Sequence, residues 1–353
     1  MMIKQNSTNP TIRDVAKLAK VGLMTVSRVI NNHPSVRPTT KKKVLNAIEQ
    51  LGYQQNEAAR LLKGQRAMMI GLIVPDLSDA FFSACAHTVQ HIARMHGYMT
   101  LVVASERDAE LEVEQAQLMA NRKVSGLLIV TSTHKSDQRL RDLQDAGLAI
   151  VAFDRPIEGI DSDCVVVENR AGAEQVTQHL INHGHKHIAC VGYDEDVYTI
   201  QERIAGYKNK MYSARLTPNV VAGTTSLEAI EKWVEDALRS ANPPTAIFSL
   251  NHRTSGFLLQ ALSKFDVKIP DQMAIAGFDE FDLASLVTPP LTTISQSPVE
   301  IATRAMSLLV GRIQGMREGK LFTPAKVVLP VTLNVRGSCG MHAEVAMEKT
   351  GTA

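Results

Sequence analysis

Residues 11–31 read TIRDVAKLAKVGLMTVSRVIN, and they contain two short helical patterns separated by a turn. Thr11 is a good helix N-cap, and Asp14, three residues later, is placed like the acid of a capping box. The apolar stripe that follows, formed by Val15, Leu18 and Ala19, predicts a first helix over about 11–18.

The second helical pattern begins after Gly22, a residue tolerated at an N-cap. Val26, Val29 and Ile30 then repeat at the i, i+3, i+4 spacing of a buried helix face. The opposite face carries Leu23, Met24, Thr25, Ser27 and Arg28. Hydroxyls suit phosphates, apolar tips suit thymine methyls and a guanidinium suits a guanine edge, so this face is chemically fit for a DNA major groove.

A third helix is predicted after Pro38, and it would close a three-helix core through Val44, Ala47, Ile48 and Leu51. Lysines 41–43 crowd its first turn, where positive charge opposes the helix dipole. Contact with DNA phosphates explains them, and a solvated charged face remains the alternative. The three helices together predict a helix-turn-helix head.

Charge is distributed unevenly along the 353 residues, although the net charge is only +2. Residues 1–66 hold 12 Lys and Arg against 3 Asp and Glu, whereas the rest of the chain holds 26 against 33. A basic head on an acidic body is the electrostatic footprint of a phosphate-binding module. A solvated basic tail would not show the apolar periodicity of this head.

Composition excludes several other classes of protein. The chain has no apolar run long enough for a membrane span and no secretory signal at its start, so we expect a cytoplasmic protein. The four cysteines are scattered without C-x-x-C spacing, which favours buried thiols over a zinc site or disulfides. We find no catalytic or nucleotide-binding motif, and we predict a protein that is not an enzyme and has no cofactor.

From residue 68 onward, short apolar runs alternate with helical stretches. This rhythm predicts an α/β core of parallel, doubly wound sheets. The expected strands lie near residues 69–74, 99–103, 126–130, 149–153, 188–191, 246–249 and 273–276. The rhythm breaks near 163–168 and again after 288–294, which predicts two lobes joined by crossover strands. Ligands bind where the carboxyl ends of such strands face each other.

The head resembles the DNA-binding domain of the lactose-repressor (LacI/GalR) family. The matching motifs are D-V-A at residues 14–16, T-V-S-R-V-x-N at 25–31, L-G-Y-Q-Q-N at 51–56 and A-A-R-L-L at 58–62. Lys20, Gly22 and Gln55 depart from the residues that the family commonly has in the turn, at the cap and before Asn56.

The resemblance implies a role for each matching position. Leu23, Met24 and Arg28 take base-reading positions. The remaining DNA-binding candidates are Thr11, Thr25, Ser27, Asn31, Tyr53, Asn56, Ala59 and Leu62. Residues 57–65 match the family's hinge helix, in which Leu62 would wedge into the minor groove; a plain core leucine is the alternative. Paired hinges imply a homodimer, or a higher homo-oligomer, on a near-palindromic operator.

The body is also similar to the family's core, which is related to periplasmic sugar-binding proteins. Carried over by position, the effector-binding candidates are Phe81, Phe82, Asp154, Arg203, Asn251 and Asp279. Arg203 and Asp279 can together satisfy several ligand hydroxyls, although an interlobe salt bridge is the alternative. For the two phenylalanines, ordinary core packing is the alternative.

The small-molecule effector is expected to be a sugar or a sugar acid, because polar candidates dominate. Thr225 stands where several family members supply an aromatic wall, and His252 stands where Asp is common. A purine or nucleoside remains an alternative effector, although it would want a stacking partner. A ligand carrier without a DNA function is a further alternative, and the basic head argues against it.

The predicted domains are a helix-turn-helix head over 1–56, a hinge helix and linker over 57–67, a core over 68–340 and a flexible tail over 341–353. Within the core, the N-lobe covers about 68–167 and 297–326, and the C-lobe about 168–296 and 327–340.

His179 and His183 have the i, i+4 spacing of a metal pair, but helix-end hydrogen bonds are the preferred interpretation and no metal site is predicted.

Overall fold

The computed structural model describes residues 10–30, 35–53, 66–132, 137–192, 197–221, 223–224, 226–320 and 323–340. The chain divides into two compact units, Met1–Ala67 and Met68–Ala353. Several predictions fall outside the described residues, namely those for Asn31, Asn56, Ala59, Leu62, Thr225, the hinge helix over 57–65 and the tail over 341–353.

The first unit holds three helices, α1 (Ile12–Ala19), α2 (Leu23–Ile30) and α3 (Pro38–Leu51). The α1 N-terminus is capped as expected: the Asp14 carboxylate accepts hydrogen bonds from the Thr11 backbone N–H at 2.8 Å and from its hydroxyl at 2.7 Å. The small core is built on Val15, Val26 and Val44, each fully buried. Leu18, expected in the buried stripe, is 44% exposed, because the partners of α1 pack on the side of Val15 and Ala19.

The second unit contains two six-stranded sheets. The first sheet has the order β11-β5-β4-β3-β1-β2, and its paired strands all run parallel. Its strands are β1 (Met69–Val74), β2 (Met99–Ala104), β3 (Gly126–Ile129), β4 (Ala149–Phe153), β5 (Asp163–Val167) and β11 (Lys326–Leu329). Helices α4 (Ala80–Met95), α5 (Ala109–Asn121), α6 (Gln138–Asp145) and α11 (Pro298–Arg317) accompany it. These elements form the first lobe.

The second sheet has the order β12-β10-β9-β8-β6-β7, parallel except for the antiparallel pair β10 and β12. Its strands are β6 (Ile188–Val191), β7 (Asn219–Val221), β8 (Ala246–Ser249), β9 (Ala274–Phe278), β10 (Thr292–Ser295) and β12 (Thr332–Asn334). Its helices are α7 (Asn169–Asn182), α8 (Tyr198–Ser213), α9 (Leu227–Arg239) and α10 (His252–Lys264). These elements form the second lobe.

Three segments cross between the lobes, after β5, after β10 and after β11. The last crossing corrects the expected boundary, because residues 327–329 belong to β11 and pair with β5 of the first sheet. The second lobe therefore resumes near residue 330 and not at 327. Short edge strands such as β11 and β12 carry too few apolar residues to be recognised from periodicity alone.

The seven expected strands are all present, with bounds that differ by at most a few residues. Apart from the edge strand β2, which is partly exposed, these strands are buried on both faces, as helices covering a parallel sheet require. Within the described parts of the chain, no helix combines the length and apolar character needed to cross a bilayer.

Candidate functional site

The exposed face of α2 presents the side chains expected to read DNA bases. Leu23 is 46% and Met24 is 70% exposed, and Arg28 is also exposed. Thr25 and Ser27 are half-buried on the flanks, while Val26 and Val29 face the core. The structure thus exposes Leu23, Met24 and Arg28 on one face of α2. That this face reads a DNA groove stays a prediction.

The other two described head residues are Thr11 and Tyr53. Thr11 is exposed at the start of α1, and Tyr53 follows the end of α3 and packs half-buried against the head core. A tyrosine in this position can keep its ring on the core while its hydroxyl reaches outward.

A cleft between the two lobes brings together all six effector-binding candidates. It encloses about 830 Å³ of space, including its open mouth, and its walls come from both lobes. Phe81, Phe82 and Asp154 line it from the first lobe, and Arg203, Asn251 and Asp279 line it from the second. The parallel strands of both sheets end here, which is the position that topology predicts for a ligand.

Arg203 and Asp279 form the polar floor on the second-lobe side. Arg203 Nη1 lies 3.0 Å from Asp279 Oδ2, and Nη2 lies 3.2 Å from Oδ1. Arg203 Nε also donates to Asn169 Oδ1 at 2.9 Å, and the guanidinium stacks on the Phe278 ring 3.7 Å from its centroid. The pair lies inside one lobe, so it is not the interlobe salt bridge considered as an alternative.

Asp279 stays ionised in this position. Burial on its own raises the pKa of a carboxyl, but the charge of Arg203, with help from His252, outweighs it and lowers the pKa of Asp279 to about 2. Asp279 also has a left-handed backbone, with φ of 71°. A strained, paired and ionised carboxylate is typical of a site in which a ligand is oriented.

His252 reaches across the cleft between the lobes. Its Nε2 lies 3.5 Å from Asp79 Oδ2 of the first lobe, and its Nδ1 lies 3.9 Å from Asp279 Oδ2 of the second. Asp279 raises the pKa of His252 despite the burial of the ring. A protonated imidazole would thus have an acceptor carboxylate on each side of the opening.

Gln296 contributes an unused acceptor to the same wall. Its Nε2 donates to Asp279 Oδ1 at 2.8 Å, and this contact fixes which end of the amide faces the carboxylate. Its Oε1 is buried and accepts no hydrogen bond from any described residue. A buried acceptor without a donor costs free energy, so this atom suits a ligand hydroxyl or N–H.

Asp154 lines the first-lobe side of the cleft. It follows β4 with φ of 66°, and its Oδ2 accepts from Arg155 Nε at 3.1 Å. Burial raises the pKa of Asp154. Arg155 is held in turn by the Thr131 carbonyl oxygen at 3.0 Å. The Asp154–Arg155 pair thus mirrors the arginine–aspartate pair of the other lobe.

The remaining three candidates have partly structural roles. Asn251 Oδ1 accepts from the Thr254 backbone N–H at 2.8 Å and so caps α10, which leaves its amide N–H groups for the cleft. Phe82 is buried in the first-lobe core, whereas Phe81 is half-buried and meets it edge-on. Of the two rings, Phe81 is the better placed to pack against a ligand.

Several cleft residues were not among the sequence-based candidates, and they include Asp79, Arg107, Arg253 and Gln296. Arg107 and Gln296 lie just beyond the carboxyl ends of β2 and β10. Asp79 and Arg253 lie at the N-termini of α4 and α10. The sequence offered one signal for these residues, namely their position just after a strand or at the start of a helix. That signal does not show which of the many residues in such positions come together in one cleft.

The histidine cluster lies in the second lobe, at the end of α7. The His179 and His183 rings are 4.2 Å apart between centroids, and His183 Nδ1 lies 2.8 Å from the His179 carbonyl oxygen. Burial lowers the pKa of His179 to about 4. Across the described residues, no group of three metal-binding side chains is close enough to hold an ion.

Two family models match the chain. Residues 11–56 match bacterial regulatory proteins of the lacI family. Residues 67–323 match the periplasmic binding proteins and sugar binding domain of the LacI family. The second match alone spans more than half of the chain.

Individual proteins show the same relationship. The HTH-type transcriptional regulator DegA of Bacillus subtilis is 32% identical, with 93% of this chain and 97% of DegA covered. The HTH-type transcriptional repressor PurR of Aliivibrio salmonicida is 32% identical, with 86% and 92% covered. The solved complex of the transcriptional regulator CelR with cellobiose is 27% identical, with a TM-score of 0.67 and 93% and 99% covered. The chain therefore belongs to the LacI family, as a DNA-binding transcriptional regulator with a ligand-binding core.

Proposed function

We propose that the protein is a repressor that binds a near-palindromic operator as a homodimer. Its affinity for this operator falls or rises when a small polar metabolite binds in the cleft. The observation that carries the effector part is the set of polar groups facing one cavity from two lobes. Asp279 is ionised, Gln296 Oε1 lacks a donor, and His252 spans the opening. A ligand that donates several hydrogen bonds would therefore bind to these groups more tightly than one that donates none.

A sugar or sugar acid is the proposed effector class. Hydroxyl groups can donate to Gln296 Oε1 and Asp279 and accept from Arg155 or Asn251, which matches the mixed donors and acceptors of the walls. The CelR complex supports this class, because a relative of similar architecture holds cellobiose. A purine or nucleoside is the second candidate, and Phe81 is the ring side chain that could stack on it.

We infer that ligand binding acts by changing the angle between the lobes. Since walls from both lobes contact the same ligand, its binding favours one interlobe angle over the other. In our proposal the hinge segment over 57–65 responds by forming or losing its helix, with Leu62 as the minor-groove wedge. Inducer and corepressor differ only in which state they bind better.

The DNA-binding part is tested by selecting binding sites from random double-stranded DNA and measuring affinity at several salt concentrations. We expect a near-palindromic consensus bound with a steep salt dependence. Leu62→Gly should weaken specific binding and spare ligand binding. Weak, sequence-blind binding to every DNA would instead support a ligand carrier.

The effector part is tested by a thermal-shift screen of sugars, sugar acids and nucleobases on the full chain. Trp233 is the sole tryptophan and lies on α9, so its fluorescence reports unfolding of the second lobe. A cleft ligand at about 100 times its Kd stabilises the protein by about 2.7 kcal/mol. A hit must also change operator affinity; a stabilising ligand with no effect on DNA binding would contradict the proposal.

A further inference from the structure

Helix α5 buries a glutamate, Glu112, in the first lobe. Glu112 is 1% exposed, whereas Glu114 on the same helix is exposed. Burial raises the pKa of Glu112, despite its hydrogen bonds and the charge of Arg155. Apolar side chains such as Val113 and Ala116 fill neighbouring buried positions of α5, and they avoid the free-energy cost of burying a carboxylate. Packing alone therefore does not account for a glutamate at position 112.

Both carboxylate oxygens of Glu112 accept hydrogen bonds from the segment that follows β3. Oε1 accepts from the Thr131 hydroxyl at 3.0 Å, and Oε2 accepts from the Ser132 backbone N–H at 2.5 Å. Ser132 lines the cleft, and its hydroxyl oxygen lies 2.9 Å from that of Ser105, which follows β2. Glu112 therefore fixes residues 131–132 at the point where the first sheet ends at the cleft.

The same segment also holds the arginine of the first-lobe wall. The Thr131 carbonyl oxygen accepts from Arg155 Nη1 at 3.0 Å, and Arg155 Nε donates to Asp154 Oδ2 at 3.1 Å. Arg155 and Asp154 both line the cleft. Thr131 thus connects Glu112, through its hydroxyl, with Arg155, through its carbonyl oxygen. A guanidinium that is already held in place loses less rotamer freedom when a ligand binds to it.

We propose that Glu112 is a positioning residue for effector binding, which holds Ser132 and Arg155 in the arrangement that the effector contacts. This inference rests on the proposed function of the cleft, and it adds a residue that does not itself line the cleft. Binding groups keep a productive geometry only when the residues behind them fix their rotamers. In the first lobe, Glu112 supplies that support through Thr131 and through the Ser132 backbone.

Three variants separate the reach of the Glu112 side chain from its charge. Glu112→Leu removes both acceptors. Glu112→Gln keeps both contacts, because its Oε1 can accept from the Ser132 N–H and its Nε2 can donate to the Thr131 hydroxyl, which accepts as well as donates. Glu112→Asp keeps the charge on a side chain that is one methylene shorter, and it replaces Glu112→Leu if that variant does not fold. Glu114→Leu, an exposed position on the same helix, is the matched control.

Binding of glucose, cellobiose, gluconate and adenine to the full chain is measured by calorimetric titration. For a compound that binds the wild type, we expect Glu112→Leu and Glu112→Asp to weaken binding about tenfold, and Glu112→Gln and Glu114→Leu to change it by less than about twofold. The loss caused by Glu112→Leu should shrink in an Arg155→Gln background, because part of it acts through Arg155. A general loss of stability would instead add in full.

Hydrogen exchange of the full chain, followed by mass spectrometry, adds a measurement that needs no ligand. Glu112→Leu should speed exchange in the peptide that contains the Ser132 N–H, and Glu114→Leu should not. Unchanged affinity for a bound compound in Glu112→Leu and Glu112→Asp overturns the inference and keeps the cleft as the effector site. If no compound binds the wild type, that result counts against the proposed effector classes, and exchange decides the role of Glu112: faster exchange at Ser132 supports it, and unchanged exchange overturns it.

Discussion

Arg203 and Asp279 are 76 residues apart in the chain, yet their side chains meet in a two-point ion pair inside the second lobe. Arg203 is only 2% exposed, so its charge depends on Asp279 and on the Leu250 carbonyl oxygen at 2.7 Å. We therefore test two proposed roles of the pair separately, one in stability and one in ligand binding.

Removing one member of this pair should destabilise the core strongly. Arg203→Ala leaves a buried carboxylate without its cation, and we expect a loss of about 3–5 kcal/mol in the free energy of unfolding. The double variant Arg203→Met with Asp279→Asn removes both charges and should recover much of this loss. Urea unfolding followed by Trp233 fluorescence measures both.

The same double variant tests ligand binding. It should fold and still fail to respond to an effector that stabilises the wild-type protein. A double variant that keeps the wild-type effector response would show that the pair is structural only.

His252 makes the stability of the core depend on pH. The pKa of His252 is raised above its ordinary value of 6.5, so the protonated ring stabilises the folded state. That contribution is fully present below pH 6.5 and is lost as the pH rises through the folded-state pKa. We expect the urea midpoint to fall as the pH rises from 6.5 through the folded-state pKa of His252, and His252→Gln to reduce the fall.

The control for this prediction is His87→Gln, which changes an exposed ring on α4. It should leave the pH dependence as in the wild type. An identical pH dependence in the wild type and His252→Gln would contradict the assigned contacts with Asp79 and Asp279.

The first lobe depends on another buried ion pair. The Asp163 carboxylate accepts from Arg312 Nη2 at 2.7 Å and from the Ala325 N–H at 2.7 Å, and so joins β5 to α11. Asp163→Ala should cost about 3 kcal/mol or more, because Arg312 is left in a mostly buried position without this partner. Urea unfolding followed by circular dichroism measures the loss. Glu235→Ala, which removes an exposed pair with Arg239, should change stability by less than about 0.5 kcal/mol.

Two variants of the head should distinguish contacts with DNA bases from contacts with DNA phosphates. Arg28→Ala is expected to weaken operator binding by about 1–3 kcal/mol and to relax specificity at one base position. Lys42→Ala should weaken binding to all DNA sequences alike and lower the salt slope by about one. Competition binding on single-base operator variants distinguishes the two. Equal loss on every sequence with Arg28→Ala would remove Arg28 from the base-reading set.

Local patterns in the sequence were sufficient for the head and for most strands. The spacing of Val26 and Val29, the Thr11–Asp14 cap and the apolar run at 69–74 each operate within a few residues, so they can be read without knowing the fold. The resemblance to the LacI family then predicted that Arg203 and Asp279 line one cleft, because the positions of both residues were carried over from motifs that the family shares.

The tertiary structure alone established which side chains pair across the cleft. His252 Nε2 lies 3.5 Å from Asp79 Oδ2, although Asp79 precedes His252 by more than 170 residues. Contacts of this kind depend on how two sheets place the ends of their strands, and no local periodicity encodes that placement. Strand β11 was not among the expected strands for the same reason, since a four-residue edge strand is held by its partner β5 and not by its own pattern.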